Sequence, residues 1–308
     1  MPGDTTIIVP AADSTTMPDS VFHPPLAALS DKTETDNGIW FFLIIFTFVF
    51  IIALPFLSYR VRRAYRLKQA HKAALQALQA NYTQYDELLA ANNAYYKSLS
   101  AAMRQRFLER VAWFISTKTF TCVGMPLEDR MPLFISAASV QITFGLNRYL
   151  LEFFDTIYIM QHDYNYGVYN QSFEGHVNSN GIYLSWDNFI SGYQDYTDAD
   201  NVGIHEMAHA LAYVNFMAGA NSGQDDGFIK RFYNFSAVAR PVFNDMQNGK
   251  TNFLNVYAAT NYNEFWAVAV ETFFEQSLRM KTEMPELYAS MCSLLNQDPL
   301  LPEKLLTV

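Results

Sequence analysis

The apolar positions change their pattern several times along the 308 residues. Residues 1–38 show no sustained period. Pro2, Pro10, Pro18, Pro24 and Pro25 stand among many Thr, Ser and Asp, which reads as a disordered tail. Residues 39–57 then carry no charge at all, and Ile, Phe and Leu dominate them. Such a run is long enough to cross a hydrocarbon core of about 30 Å, so a transmembrane helix is expected over 39–58. Pro55 near its end is tolerable there. From residue 56 to residue 123 there is neither Gly nor Pro. Helix is expected, leaving the membrane as a stalk over 59–92. Leu75, Leu78, Tyr82, Tyr85 and Leu89 recur at three-four spacing. That stripe suits a short coiled-coil seam or packing on the chain's own domain. Asn92-Asn93 reads as a break, and Ser100 as the cap of a helix through Arg106 and Trp113. The remainder, 93–308, alternates helix and strand: a mostly apolar helix over 131–154, strands over 156–160 and 182–186, and a polar, tyrosine-rich loop over 161–180. This is an α+β pattern.

Charge and composition narrow the function. The net charge of −9 excludes nucleic acid as a partner, because phosphate binding needs clustered Lys and Arg. Half the residues are hydrophobic, with 25 Phe and 19 Tyr, so a sizeable core is available. Cys122 and Cys292 lie far apart in no metal-type spacing and read as small buried hydrophobes. Arg60, Arg62, Arg63, Arg66, Lys68 and Lys72 follow the apolar run, with no acid until Asp86. The positive-inside rule then places the N-terminus outside and the larger domain in the cytoplasm, as a single-pass protein of a cell inner membrane. The same cations suit anionic lipid headgroups.

Chemistry concentrates at His205-Glu206-Met207-Ala208-His209. Residues four apart share a helix face, so both imidazoles can grip one metal ion. Glu206 then sits beside the metal, placed to take a proton from an attacking water. Asp198 and Asp200 are candidate caps for this helix. A catalytic zinc site takes three protein ligands and keeps one position open. Glu264, at the start of the apolar run 264–274, is the choice for the third. Glu271 lies two turns further along the same face. It either orients a ligand or serves as a structural carboxylate or cap. His162 and His176 in the polar loop are either extra ligands or ordinary solvated histidines. The strand at 182–185 is a candidate edge strand for an extended peptide. The loop 219–227 either borders the cleft or merely connects.

These blocks resemble the bacterial zinc-dependent peptidases of the Mlc titration factor A family, which share a metallopeptidase fold with the catalytic domain of anthrax lethal factor. The resemblance runs through residues 106–114, 181–187, 204–209, 257–260, 264–274 and 296–300, in the family's order. It implies a zincin-like metallopeptidase domain. His205, His209 and Glu264 would hold one Zn²⁺ per chain, with Glu206 as general base. Tyr257 would assist catalysis. Peptide or protein would be the substrate, with an aminopeptidase among the possible activities. It also implies contact with a transcriptional regulator of sugar uptake. A membrane-tethered protein that sequesters such a regulator without cleaving it is therefore the alternative function. Two departures bear on substrate preference rather than on the metal set. Ala210-Leu211-Ala212 stands where the family often has Lys-Leu-Asp, and Gly181-Ile182 where it has Gly-Pro.

Overall fold

The computed structural model describes residues 33–165, 172–219 and 223–302, with side chains omitted at a few positions of the first helix. The expected disordered tail lies largely outside the described residues. The chain divides into two compact units, residues 1–63 and 64–308.

Helix α1 spans Thr33–Asn92 and belongs to both units. In the first unit its apolar side chains are exposed, among them Ile39, Phe42, Ile44, Phe46, Phe48 and Ile51. Among the described residues no helix is long and apolar enough to cross a membrane. The structure therefore does not support the transmembrane helix expected over 39–58.

In the second unit the stripe on α1 turns inward. Leu78 and Leu89 belong to the core, and Tyr82 and Tyr85 pack against it. Helix α1 ends at the Asn92-Asn93 break, and Asn93 caps the short α2, Ala94–Ser98, by accepting from the Tyr96 N–H at 2.7 Å. There follow α3, Ala101–Thr117, strand β1, Thr119–Val123, and α4, Arg130–Thr143. Helix α4 has no charge after its first residue and is buried along nearly its whole length. It ends well short of residue 154. Gly145 follows, where an added Cβ would lie 2.3 Å from the carbonyl oxygens of Leu295 and Asn296. Close backbone contact with the C-terminal segment thus replaces the last turns of the expected helix.

Strand β2, Thr156–Met160, falls where expected. The polar loop after it holds more structure than its composition suggests. It carries a small antiparallel pair, β3 at Tyr164–Asn165 and β4 at Ser172–Phe173, and then β5, Gly175–Asn178. Strand β6 is Gly181–Ser185. The main sheet has the order β1-β2-β6-β5, parallel except for β5. The edge next to β6 is therefore taken by β5. This corrects the expectation that 182–185 forms the edge. Ile182 and Leu184 are fully buried and β6 is paired on both sides, as a near-continuous apolar run requires.

Helices α5, Trp186–Gln194, and α6, Val202–Phe216, come next. Helix α7, Asp226–Gln247, a 3₁₀ turn at Val256–Ala259, α8, Tyr262–Glu275, α9, Ser277–Glu283, and α10, Pro285–Leu295, complete the unit. Helix α6 packs on β5, β6, α4 and α8. Trp266 of α8 fixes that last contact. Its Nε1–H donates to the Ala208 carbonyl of α6 at 2.8 Å, and Phe228, Phe232 and Phe235 of α7 surround its ring. The unit is a mixed α+β structure, mostly helical.

Candidate metal centre

Helix α6 starts at Asn201, not at the acidic residues before it. The Asn201 side chain accepts from the Ile204 N–H at 3.0 Å. Asp198 instead accepts from the Asp200 N–H. The cap sets the helix phase, and His205 and His209 then share a face with ring centroids 4.7 Å apart. Helix α8 is capped by Asn261, which accepts from the N–H groups of Asn263 and Glu264. Glu264 therefore sits in the first turn of α8 and faces α6.

Three donor atoms meet between these helices. His205 Nε2 lies 3.0 Å from His209 Nε2, and Glu264 Oε2 lies 3.0 Å and 3.3 Å from them. His205, His209 and Glu264 form the metal-capable group among the described residues. Ligand bonds of about 2.0–2.2 Å at tetrahedral angles would place donors about 3.3–3.6 Å apart. The triangle needs only a small outward adjustment to fit zinc. Two facing imidazole nitrogens so close to a carboxylate also call for a positive charge among them. The donor set and the geometry both fit a divalent ion.

A second layer stands behind His205. Its Nδ1 is 2.5 Å from Glu271 Oε1, which fixes the ring so that Nε2 faces the other donors. The other oxygen of Glu271 accepts from the Asn201 N–H at 2.9 Å, so this carboxylate also ties down the start of α6. Asn201 Nδ2 in turn donates to Glu275 Oε1 at 2.9 Å. Glu264, Glu271 and Glu275 lie on one face of α8 and reach α6 in succession. Of these partners, sequence reasoning left the role of Glu271 open and missed Asn201 and Glu275. The signal for the two glutamates was the seven- and four-residue spacing of acids in an otherwise apolar helix.

Glu206 is 5% exposed, and its Oε2 is buried without a hydrogen-bond partner among the described residues. Burial pushes its carboxyl up to about 7, against the opposing pull of His205 and His209. Burial likewise raises Glu271 and takes Glu275 up to about 8. Burial would also raise Glu264, but its bonds to His205 and His209 outweigh that and hold it well below the usual carboxylate range. For His205 burial acts downward. The Glu264 and Glu271 contacts overcome it and draw a proton onto the ring, which a metal ion would displace.

Tyr257 lies on the 3₁₀ turn just before α8, half exposed, with its ring centroid 6.1 Å from that of His205. The two loop histidines stand apart from the donor triangle. Exposed His162 pairs with Asp187 at 2.6 Å. His176 of β5 stacks on Tyr183 of β6 at 4.2 Å and meets the Tyr164 hydroxyl at 2.8 Å. That stack continues to Tyr158 of β2 on the sheet face away from the core.

Comparison with known proteins agrees with this geometry. A family model described as glucose-regulated metallo-peptidase M90 matches residues 65–295. An uncharacterized protein of Synechocystis sp. (strain ATCC 27184 / PCC 6803 / Kazusa) is 23% identical over 227 residues, covering 67% of this chain and 81% of that protein. The matched span takes in the donor triangle, Glu206, Tyr257 and Glu271, and the chain belongs to the M90 family of glucose-regulated metallo-peptidases.

Proposed function

We propose that the chain is a zinc-dependent peptidase that hydrolyses peptide or protein substrates, with His205, His209 and Glu264 as ligands and Glu206 as general base. The observation that carries this reading is the buried, unpartnered Glu206 carboxylate oxygen beside three convergent donors. Zinc held there would act as a Lewis acid and lower the pKa of a water it binds toward about 7. Glu206 accepts a proton from the attacking water and returns it to the leaving amine. Its raised carboxyl suits both halves of that cycle, because a base matched to neutral pH can also act as the acid. Tyr257 donates its hydroxyl proton in a hydrogen bond to the oxygen that gains charge. Its position beside His205 supports that role, and its half-exposed ring lets a substrate reach it.

The test is cleavage of a peptide library by the purified chain with and without a chelator, alongside Glu206→Gln. Cleavage that chelation and the substitution both abolish is the expected result. A protein that cleaves nothing but holds a transcriptional regulator equally well with Glu206→Gln would instead be a sequestering partner.

The exposed apolar side chains of residues 39–54 support a second, independent proposal: attachment of the chain to the cytoplasmic face of a lipid bilayer. Co-sedimentation of the full chain with anionic lipid vesicles tests it. Binding that is lost when Phe42, Phe46 and Ile51 are replaced by Ser supports attachment, and equal binding by both chains would refute it.

A further inference from the structure

One contact between the sheet and α6 involves no side chain from the sheet. Gly175 opens β5 opposite Leu184, whose side chain is fully buried. A Cβ built at Gly175 would lie 2.6 Å from Cγ of Glu206, 2.7 Å from its Oε1 and 2.8 Å from its Cδ. Carbon contacts are favourable at about 3.5–4.0 Å, so no side chain fits there while Glu206 keeps its place. The backbone angles do not demand glycine, because Gly175 is not among the residues of positive φ. Space alone demands it.

The three nearest neighbours of that absent Cβ belong to Glu206. At Gly145 and Gly181, by contrast, an added Cβ would strike backbone: carbonyl oxygens at the first, and the Thr156 carbonyl, 2.7 Å away, at the second. Substitution there would strain the fold. At Gly175 the closest contacts, Cγ, Oε1 and Cδ, all fall on one side chain, so it is Glu206 that must move first. Glu206 Oε2 has no hydrogen-bond partner to hold it against that movement. Packing therefore sets the aim of this carboxylate, and the bare backbone of β5 is the wall it packs on.

We infer that Gly175 is a positioning residue for the general base: by lacking a side chain it lets β5 press the Glu206 carboxylate toward the His205, His209 and Glu264 donors. The inference rests on the peptidase reading above. It predicts an unusual separation of effects, with catalysis lost while the metal and the fold remain.

The experiment compares the full chain with Gly175→Ala, Glu206→Gln and the double variant. Zinc content, Tm, kcat and KM are measured on a peptide the parent cleaves. Gly175→Ala should keep its zinc and its Tm. Its kcat should fall about 10- to 100-fold, part of what a positioned base contributes, with KM little changed. The double variant should be no slower than Glu206→Gln, because a residue that acts only through Glu206 has nothing left to act on. Parent-like kcat in Gly175→Ala would overturn the inference, as would a loss that multiplies onto that of Glu206→Gln. If Gly175→Ala proves unstable, Gly175→Ala/Glu206→Ala removes the atoms the Cβ would meet. Recovered Tm in that pair supports the contact, and persistent instability overturns it. A parent that cleaves no peptide is a separate result: it removes the peptidase reading, and this inference with it.

Discussion

His205 Nδ1 and Glu271 Oε1 stand 2.5 Å apart, joining the second helix of the site to the first through a ring whose opposite nitrogen faces the metal donors. Partners of this kind are worth about 10- to 100-fold in metal affinity. Glu271→Ala should weaken zinc binding by that amount in a competition titration against a chelator. Glu271→Gln, which keeps an acceptor oxygen, should weaken it less. Unchanged affinity in both variants would remove the orienting role.

Removing a donor is more severe. His205→Ala and Glu264→Ala should each lose most of the bound zinc, because two remaining ligands hold the ion poorly. Metal analysis decides it, and zinc retained in both variants would refute the ligand assignment.

Among the reacting groups an order is expected. Glu206→Gln should lower kcat by roughly a hundred- to ten-thousand-fold, since glutamine cannot accept the proton. Tyr257→Phe should be milder, because a single hydrogen-bond donor contributes at most about 3–4 kcal/mol to transition-state stabilisation and the Lewis acid remains. Equal losses would mean that Tyr257 does more than donate one bond.

The pH dependence of activity has a definite sign. Glu206 must be ionised to accept a proton, and burial places its carboxyl near about 7. A bound dication lowers that value, so kcat/KM should rise with pH along an acid limb at or below about 7. Glu206→Asp should shift that limb, whereas a limb unmoved by it belongs to another group.

Glu275 offers a test by stability rather than rate. Its carboxyl is raised from 4.5 to about 8 by burial, so the folded chain holds this proton more tightly than the unfolded one. Between those values the folded form binds more protons, and stability falls as pH rises. Glu275→Gln keeps an oxygen for Asn201 and removes the charge. It should be more stable than the parent at pH 9, by on the order of a few kcal/mol, and close to it at pH 4. Tm measured at both pH values checks the sign.

The convergence of His205, His209 and Glu264 was legible in the sequence because its spacing is local. His205 and His209 share a helix face by arithmetic, and an acid opening an apolar helix needs a partner, which drew attention to Glu264. The parts that were not legible depend on approach through space. Asn201 outcompetes Asp198 and Asp200 for the cap because its backbone N–H also meets Glu271, 70 residues away. The placement of β5 at the sheet edge escaped notice because its residues read as polar loop, and pairing with β6 makes it a strand. Gly175 gives no signal at all until Glu206 is seen against it. Likewise the close approach of the Leu295 and Asn296 carbonyls to Gly145 is a contact across 150 residues that no local pattern encodes.

Helix α8 touches the His205 ring at both nitrogens, with Glu264 on one side and Glu271 on the other. That ring cannot rotate out by itself, because either direction breaks a contact. Loss of the ion should therefore be slow and should require α8 to lift from α6, against the Trp266 bond to Ala208. Zinc release and exposure of the Trp266 ring should then be one event with one rate, and a mutation that loosens the indole should shorten the residence time of a metal it never touches.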